Sequence, residues 1–133
     1  MTAAGTIKIV AAVIRDRSGR VLVRKRGTSA FMQPGGKLDA GEDDIAALSR
    51  EISEELGCAL VPASVLSLGA FDAIAANEPG FRVEAKLYRV DVTGEISPGR
   101  EIDEAIWVDP ASPPDIHLAP LTRDHVLALA SKD

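Results

Sequence analysis

The sequence predicts an α/β protein, because strand-like and helix-like patterns alternate along the chain. Positions 7–14 are rich in β-branched and small residues, apolar and polar residues alternate over 81–88, and apolar residues recur at helical spacing over 42–56. A second helical pattern covers 122–132. A chain of 133 residues can bury an independent core, so we expect one domain spanning 1–133.

The remaining segments give the expected order of the strands. The strand over 7–14 and a second strand beginning at 21–23 should form a hairpin around a turn at 16–19. Downstream of the first helix we expect an extended segment over 65–76, a turn at 77–80, an antiparallel strand over 81–88, a loop over 93–100, a short strand over 105–108 and an irregular proline-rich segment over 109–114.

Three basic residues follow the second strand of the hairpin. Because side chains alternate between the faces of a strand, Arg24 and Arg26 share one face and Lys25 takes the other. The two arginines are either solubilising charges at the end of a strand or guanidinium groups that bind substrate phosphate.

The first helix places carboxylates beside an apolar stripe. The stripe consists of Ile45, Leu48, Ile52 and Leu56, and the carboxylates are those of Glu51, Glu54 and Glu55. Like charges three or four residues apart destabilise a helix by a few tenths of a kcal/mol per pair. Arg50 can reach Glu54, but a single cation does not balance this cluster. A bound divalent cation such as Mg²⁺ or Mn²⁺ would do so.

The acidic helix alone is also compatible with an ordinary solvated face. The preceding residues 34–37, Pro-Gly-Gly-Lys, favour a ligand site, because two adjacent glycines let backbone amides and carbonyls approach a ligand closely. A glycine loop that leads into an acidic helix therefore predicts a site for a metal ion and phosphate.

These residues carry a family resemblance. The chain matches every fixed position of the pattern G-x5-E-x7-R-E-U-x-E-E-x-G-U, where U is apolar, with Gly36, Glu42, Arg50, Glu51, Ile52, Glu54, Glu55, Gly57 and Cys58. This pattern is the Nudix box, and the chain resembles a Nudix hydrolase of the MutT type. So many fixed intervals make a chance match improbable. The resemblance implies an α/β/α sandwich with a mixed β-sheet.

The resemblance also implies a chemistry and a set of metal ligands. Family members typically hydrolyse a phosphoanhydride bond in a nucleoside diphosphate linked to another group, with Mg²⁺ or Mn²⁺. Carried over by position, Glu51, Glu54 and Glu55 would bind the metal together with the carbonyl oxygen of Gly35. Arg50 would orient Glu51.

Other residues are expected to assist. Glu42 would support the site or bind the metal through water, while Gly36 and Lys37 would join Gly35 in binding the substrate. Members of the family often draw a further catalytic carboxylate from the loop before the last strand. For that role Glu104 is the first choice, ahead of Glu101 and Glu95.

The remaining candidates are weaker. His117 and His125 lack metal-ligand spacing, so packing roles are expected for them. Trp107 and Tyr88 could stack on a base, although a tryptophan in a strand more often belongs to the core. Phe31 is expected to be a core residue.

Composition excludes several classes of protein. A net charge of −5 and a pI near 5.0 argue against a binder of duplex nucleic acid, but a small nucleotide substrate remains possible. A single cysteine permits no intramolecular disulfide. Residues 1–10 lack the charged and long apolar regions typical of a signal peptide, and the apolar run 9–14 is too short to span a bilayer. We expect a cytoplasmic protein, with a homodimer possible.

Two alternatives use the same fold. A catalytically silent sensor of a nucleotide metabolite would fit a degenerate box better than this intact one. An isomerase would call for a catalytic cysteine, and Cys58 occupies an apolar position of the box instead.

Overall fold

The computed structural model describes residues 5–16 and 19–130. Within these ranges the strands are β1 (Gly5–Asp16), β2 (Gly19–Lys25), β3 (Phe31–Met32), β4 (Gly35–Gly36), β5 (Ala59–Leu60), β6 (Leu66–Ile74), β7 (Phe81–Val90), β8 (Val92–Thr93) and β9 (Ile102–Val108). The helical elements are α1 (Asp44–Leu56), a 3₁₀ turn (Pro62–Ser64), a π-helical turn (Thr122–Val126) and α2 (Leu127–Ala130).

Strand β1 organises a seven-stranded mixed sheet with the order β3-β2-β1-β7-β6. It runs parallel to β7, and its C-terminal end forms the predicted antiparallel hairpin with β2. Strand β4 pairs with β1 and β9 pairs with β2, while β5 and β8 form a separate two-stranded sheet. Residues 17 and 18 of the predicted turn lie outside the described residues.

The two faces of β1 carry two parts of the core. Val10 and Ile14 pack with the apolar face of α1, where Leu48, Ile52 and Leu56 are fully buried. Residues of β1 on the opposite face pack with the C-terminal helical segment, in a cluster that includes Ala11, Val13, Leu87, Leu121 and Val126. A mixed sheet between helical layers is the α/β/α sandwich that was expected, and this prediction is confirmed.

Helix α1 is two residues shorter at its start than predicted. Asp43 adopts an extended conformation and accepts a hydrogen bond from the amide of Ala46, so it caps the helix and Asp44 is the first helical residue. Glu42 therefore precedes the helix. Gly57 ends the helix in the left-handed region at φ 66°, as predicted.

Two other boundaries differ from the prediction. Strand β9 begins at Ile102 rather than 105, because it continues its pairing with β2 as far as Lys25 through a register shift. Glu104 consequently lies in a strand and not in a loop. The C-terminal helix forms in its predicted place, but 122–126 is a π-helical turn, and 131–132 lie outside the described residues.

Among residues 5–16 and 19–130, no helix combines the length and apolar character needed to cross a membrane.

Candidate active site

The double-glycine bend is held against β1 on one side and against helix α1 on the other. Gly35 pairs with Ala11, and a side chain at Gly35 would place its Cβ 2.2 Å from the carbonyl oxygen of Val10. The φ of Gly35 is 153°, which also favours glycine. A Cβ at Gly36 would lie 2.7 Å from a carboxylate oxygen of Glu51. Gly35 therefore allows the bend to approach β1, and Gly36 allows the carboxylate of Glu51 to approach the bend.

Glu55 points from α1 into the interior beneath the glycine bend. Its Oε1 accepts a hydrogen bond of 3.2 Å from the amide of Gly35, and its Oε2 lies 3.5 Å from Nζ of Lys25. Burial and, to a smaller extent, the negative charge of Glu51 raise the pKa of Glu55 to about 7, although Lys25 and the hydrogen bond from the Gly35 amide oppose the shift. The site thus contains a carboxyl group that titrates near neutral pH.

Arg50 connects Glu42, which precedes α1, with acidic residues of the helix itself. Its guanidinium binds Glu42 through two hydrogen bonds of 2.7 and 2.9 Å, which lower the pKa of Glu42. The same guanidinium donates to Glu51 at 2.7 Å, to Glu54 at 3.4 Å and to the carbonyl oxygen of Lys37 at 3.0 Å. Arg50 therefore holds the carboxylate of Glu51 beside Gly36, and its role in orienting Glu51 for a metal stays a prediction.

The three predicted metal-binding glutamates are not equally placed. Glu51 and Glu55 reach the glycine bend, but the side chain of Glu54 is 61% exposed. Among residues 5–16 and 19–130, no three side chains of histidine, cysteine, aspartate or glutamate are gathered closely enough to hold a metal ion. The donors are carboxylate and carbonyl oxygens, which suit a hard divalent cation. The three-glutamate metal site stays a prediction.

A cavity of about 370 Å³ opens beside the glycine bend. One end is charged and is lined by Lys25, Lys37, Glu51 and the two glycines. The remainder is mainly apolar and is lined by residues that include Ile7, Ile9, Met32, Ile74, Val83 and Leu121. A cavity of this size, with polar groups at one end, suits a small ligand with an apolar body and a charged tail.

Lys25, rather than the neighbouring arginines, contacts the site. Its ammonium lies 3.4 Å from the carbonyl oxygen of Gly35. Arg24 instead contacts Asp103 at 3.4 Å and Glu104 at 3.5 Å, and Arg26 is exposed. The strand alternation had placed Lys25 opposite the arginines, but only the position of the glycine bend shows which face meets the site.

The predicted additional carboxylates lie outside the lining of this cavity. Glu104 faces Arg24 across the pairing of β9 with β2, and its catalytic role stays a prediction. Glu101 is exposed, and Glu95 lines a separate cavity together with Trp107.

The weaker candidates have structural roles. Nδ1 of His117 lies 2.8 Å from the hydroxyl of Ser29, and the ring of His125 lies 5.2 Å from that of Phe71. Tyr88 donates a hydrogen bond to Asp44, which raises the pKa of the tyrosine to about 12. Phe31 is buried, as expected.

The fold, in which an acidic helix is held against a double-glycine bend, is that of a family of phosphoanhydride hydrolases. The chain belongs to the Nudix family, because the model of the NUDIX domain matches residues 6–129. The predicted family and the predicted enzyme class, a pyrophosphohydrolase, are confirmed.

Named relatives differ in their substrates. The 8-oxo-dGTP diphosphatase of Haemophilus influenzae is 32% identical over 108 residues, covering 77% of this chain and 76% of the relative. An RNA pyrophosphohydrolase of Halorhodospira halophila is 42% identical over 62 residues, which cover 46% of this chain and 33% of the relative. In fold, the crystal structure of a MutT NUDIX hydrolase from Burkholderia pseudomallei matches with a TM-score of 0.74 and 24% identity, covering 96% of both chains.

Proposed function

We propose that this protein hydrolyses a phosphoanhydride bond in a nucleoside diphosphate linked to another group, with Mg²⁺ or Mn²⁺ as the metal. The observation that carries the proposal is the meeting of Glu51 and Glu55 at the double-glycine bend, next to a cavity with a charged end. The relationship to an 8-oxo-dGTP diphosphatase supports a nucleoside triphosphate as one such substrate.

The residues at the charged end suit this reaction. Glu51, Glu54, Glu55 and the carbonyl oxygen of Gly35 would hold the metal, with Glu42 in support. Nudix hydrolases generally use divalent ions, and such an ion neutralises phosphate charge and lowers the pKa of bound water.

The side chains around these ligands hold and balance them. Arg50 fixes Glu51 at 2.7 Å. Lys25, beside Gly35 and Glu55, offers an ammonium group to a phosphate oxygen at the mouth of the cavity. Lys37 lies exposed on the same rim.

A substrate panel tests the proposal directly. Purified protein is assayed with the four dNTPs, 8-oxo-dGTP, nucleotide sugars and dinucleoside polyphosphates, in EDTA and with each metal. We expect cleavage of a phosphoanhydride bond only when metal is present, with the nucleotide products separated by chromatography: pyrophosphate or phosphate is released from a dNTP, a sugar phosphate from a nucleotide sugar, and a second nucleotide from a dinucleoside polyphosphate. Binding of a nucleotide without turnover would support the silent sensor instead.

Two variants test the ligands. Glu54→Gln and Glu55→Gln should each lower turnover by at least about a hundredfold if these residues bind the metal. The change at Glu54 is the sharper test, because an ordinary exposed glutamate would tolerate it. Glu84→Gln, on an exposed position of β7, is the matched control and should leave turnover unchanged. Full activity of both helix variants would overturn the assignment of the ligands.

The cytoplasmic location and the homodimer stay predictions.

A further inference from the structure

Gln33 is a buried polar side chain in the wall of the cavity. Only 5% of the residue is exposed, and it lies immediately before Pro34 and the glycine bend. Its side-chain oxygen accepts a hydrogen bond of 2.6 Å from the hydroxyl of Thr122. Thr122 is itself fully buried at the start of the π-helical turn, so the oxygen end of the amide is anchored.

The nitrogen end of the same amide is available to a ligand. A glutamine amide carries two N–H donors, and those of Gln33 make no hydrogen bond to another group of residues 5–16 and 19–130. Within the described ranges, the side-chain nitrogen of Gln33 is therefore not fully enclosed by other protein atoms. Since burial of an unpaired donor is costly, donors that open into a cavity indicate a position for an acceptor.

The surroundings of Gln33 restrict the kind of acceptor. Ile9, Val83 and Leu121 line the same cavity and supply apolar walls, while the charged end lies at the glycine bend. The other polar groups in the lining are Asp39, which is exposed and follows the glycine bend, and Asn77 and Glu78, which lie on the exposed turn between β6 and β7. An apolar slot with a fixed amide in its wall and a phosphate site at its end suits the base of a nucleotide.

We propose that Gln33 contacts the nucleobase and selects bases that present a keto oxygen at position 6 of a purine or position 4 of a pyrimidine. This inference rests on the proposed function and deepens it. With the amide oxygen held by Thr122, the nitrogen donates to an oxygen such as O6 of guanine or O4 of thymine. Adenine and cytosine present an amino group at the corresponding position, and this donor would face the donors of Gln33. Gln33 is thus a specificity residue, and Thr122 is a positioning residue that sets the direction of the amide.

The first test compares kcat/KM for the four dNTPs in the wild-type protein with metal. We expect dGTP and dTTP to be preferred to dATP and dCTP by about tenfold or more, since a site that hydrogen-bonds its substrate rejects a mismatched partner strongly. Equal values, or preference for the amino bases, would overturn the inference.

Substitutions at Gln33 and Thr122 test whether these two residues produce the preference for keto bases. Gln33→Met keeps a similar volume without the donors and should reduce the keto-to-amino ratio about tenfold. Thr122→Val releases the amide and should lower the same ratio. Thr93→Val, on exposed β8, is the control and should leave the ratio unchanged.

Binding provides a readout that needs no turnover. Calorimetry in EDTA should show wild-type protein binding dGMP more tightly than dAMP, and Gln33→Met should remove the difference. If Gln33→Met keeps the wild-type keto-to-amino ratio of kcat/KM and still hydrolyses nucleotides, only the assignment of base selectivity to Gln33 is overturned. Absence of turnover with every nucleotide overturns the proposed function and this inference together.

Discussion

Replacing Glu55 by glutamine should stabilise the metal-free protein at alkaline pH, although the substitution removes an ion pair with Lys25. The carboxyl of Glu55 is buried, and its pKa is about 7 in the folded protein, against 4.5 for an ordinary glutamate. Between these two values the folded state binds more protons than the unfolded state. The free energy of unfolding therefore falls as the pH rises through this window.

The size of the effect follows from the shift in pKa. Each unit corresponds to about 1.4 kcal/mol, so ionisation of Glu55 costs the folded state roughly 3 kcal/mol by pH 8. Glutamine matches the shape of the protonated side chain and does not ionise. Lys25 is partly exposed and can keep its ammonium in water, so loss of its partner costs little.

Urea denaturation in EDTA at pH 5 and pH 8 measures this contribution. We expect Glu55→Gln to exceed the wild type in stability at pH 8 by about 2–3 kcal/mol, and the two proteins to converge towards pH 5. Glu54→Gln, a substitution of an exposed glutamate on the same helix, is the matched control and should stay within about 0.5 kcal/mol of the wild type. A Glu55→Gln protein that is less stable than the wild type at pH 8, with the same pH dependence, would refute the reasoning.

Three further substitutions test the support of the site, and a fourth, Gly27→Ala, serves as a comparison. Leu48→Ala, in the fully buried face of α1, should lower the free energy of unfolding by about 2–5 kcal/mol in urea denaturation. Gly99→Ala would place a Cβ 1.9 Å from a carbonyl oxygen of α1 and should lower the free energy of unfolding by about 1–3 kcal/mol. Gly27→Ala would place its Cβ in open space and should lower the free energy of unfolding by only about 1 kcal/mol. Arg50→Lys loses the paired hydrogen bonds of the guanidinium and should lower kcat/KM about 10- to 100-fold with little change in thermal stability. Wild-type kcat/KM in Arg50→Lys would show that Glu51 needs no such support.

The sequence by itself determined the helix that carries the site. Its apolar spacing and the terminal Gly57 follow local rules, and Leu48 and Ile52 are buried as the period of the helix requires. The alternation over 81–88 likewise marked the strand that became β7. Such features depend on residues a few positions apart, and for this reason they can be predicted from the sequence.

The partners of the site residues depended on the tertiary structure. Lys25, and not Arg24, meets Glu55 because the position of β4 on β1 decides which face of β2 lies near the glycine bend. The pKa of Glu55 is about 7 mainly because its carboxyl group is buried, and the pattern of charges in the sequence does not reveal that burial.

Gln33 and Thr122 show the same limit over a greater distance, since 89 residues separate them in the chain. Nothing adjacent to either residue marks it as polar and buried. Hydrogen bonds and desolvation depend on distances of a few ångströms, and chain folding sets these distances between segments whose sequences are independent of each other.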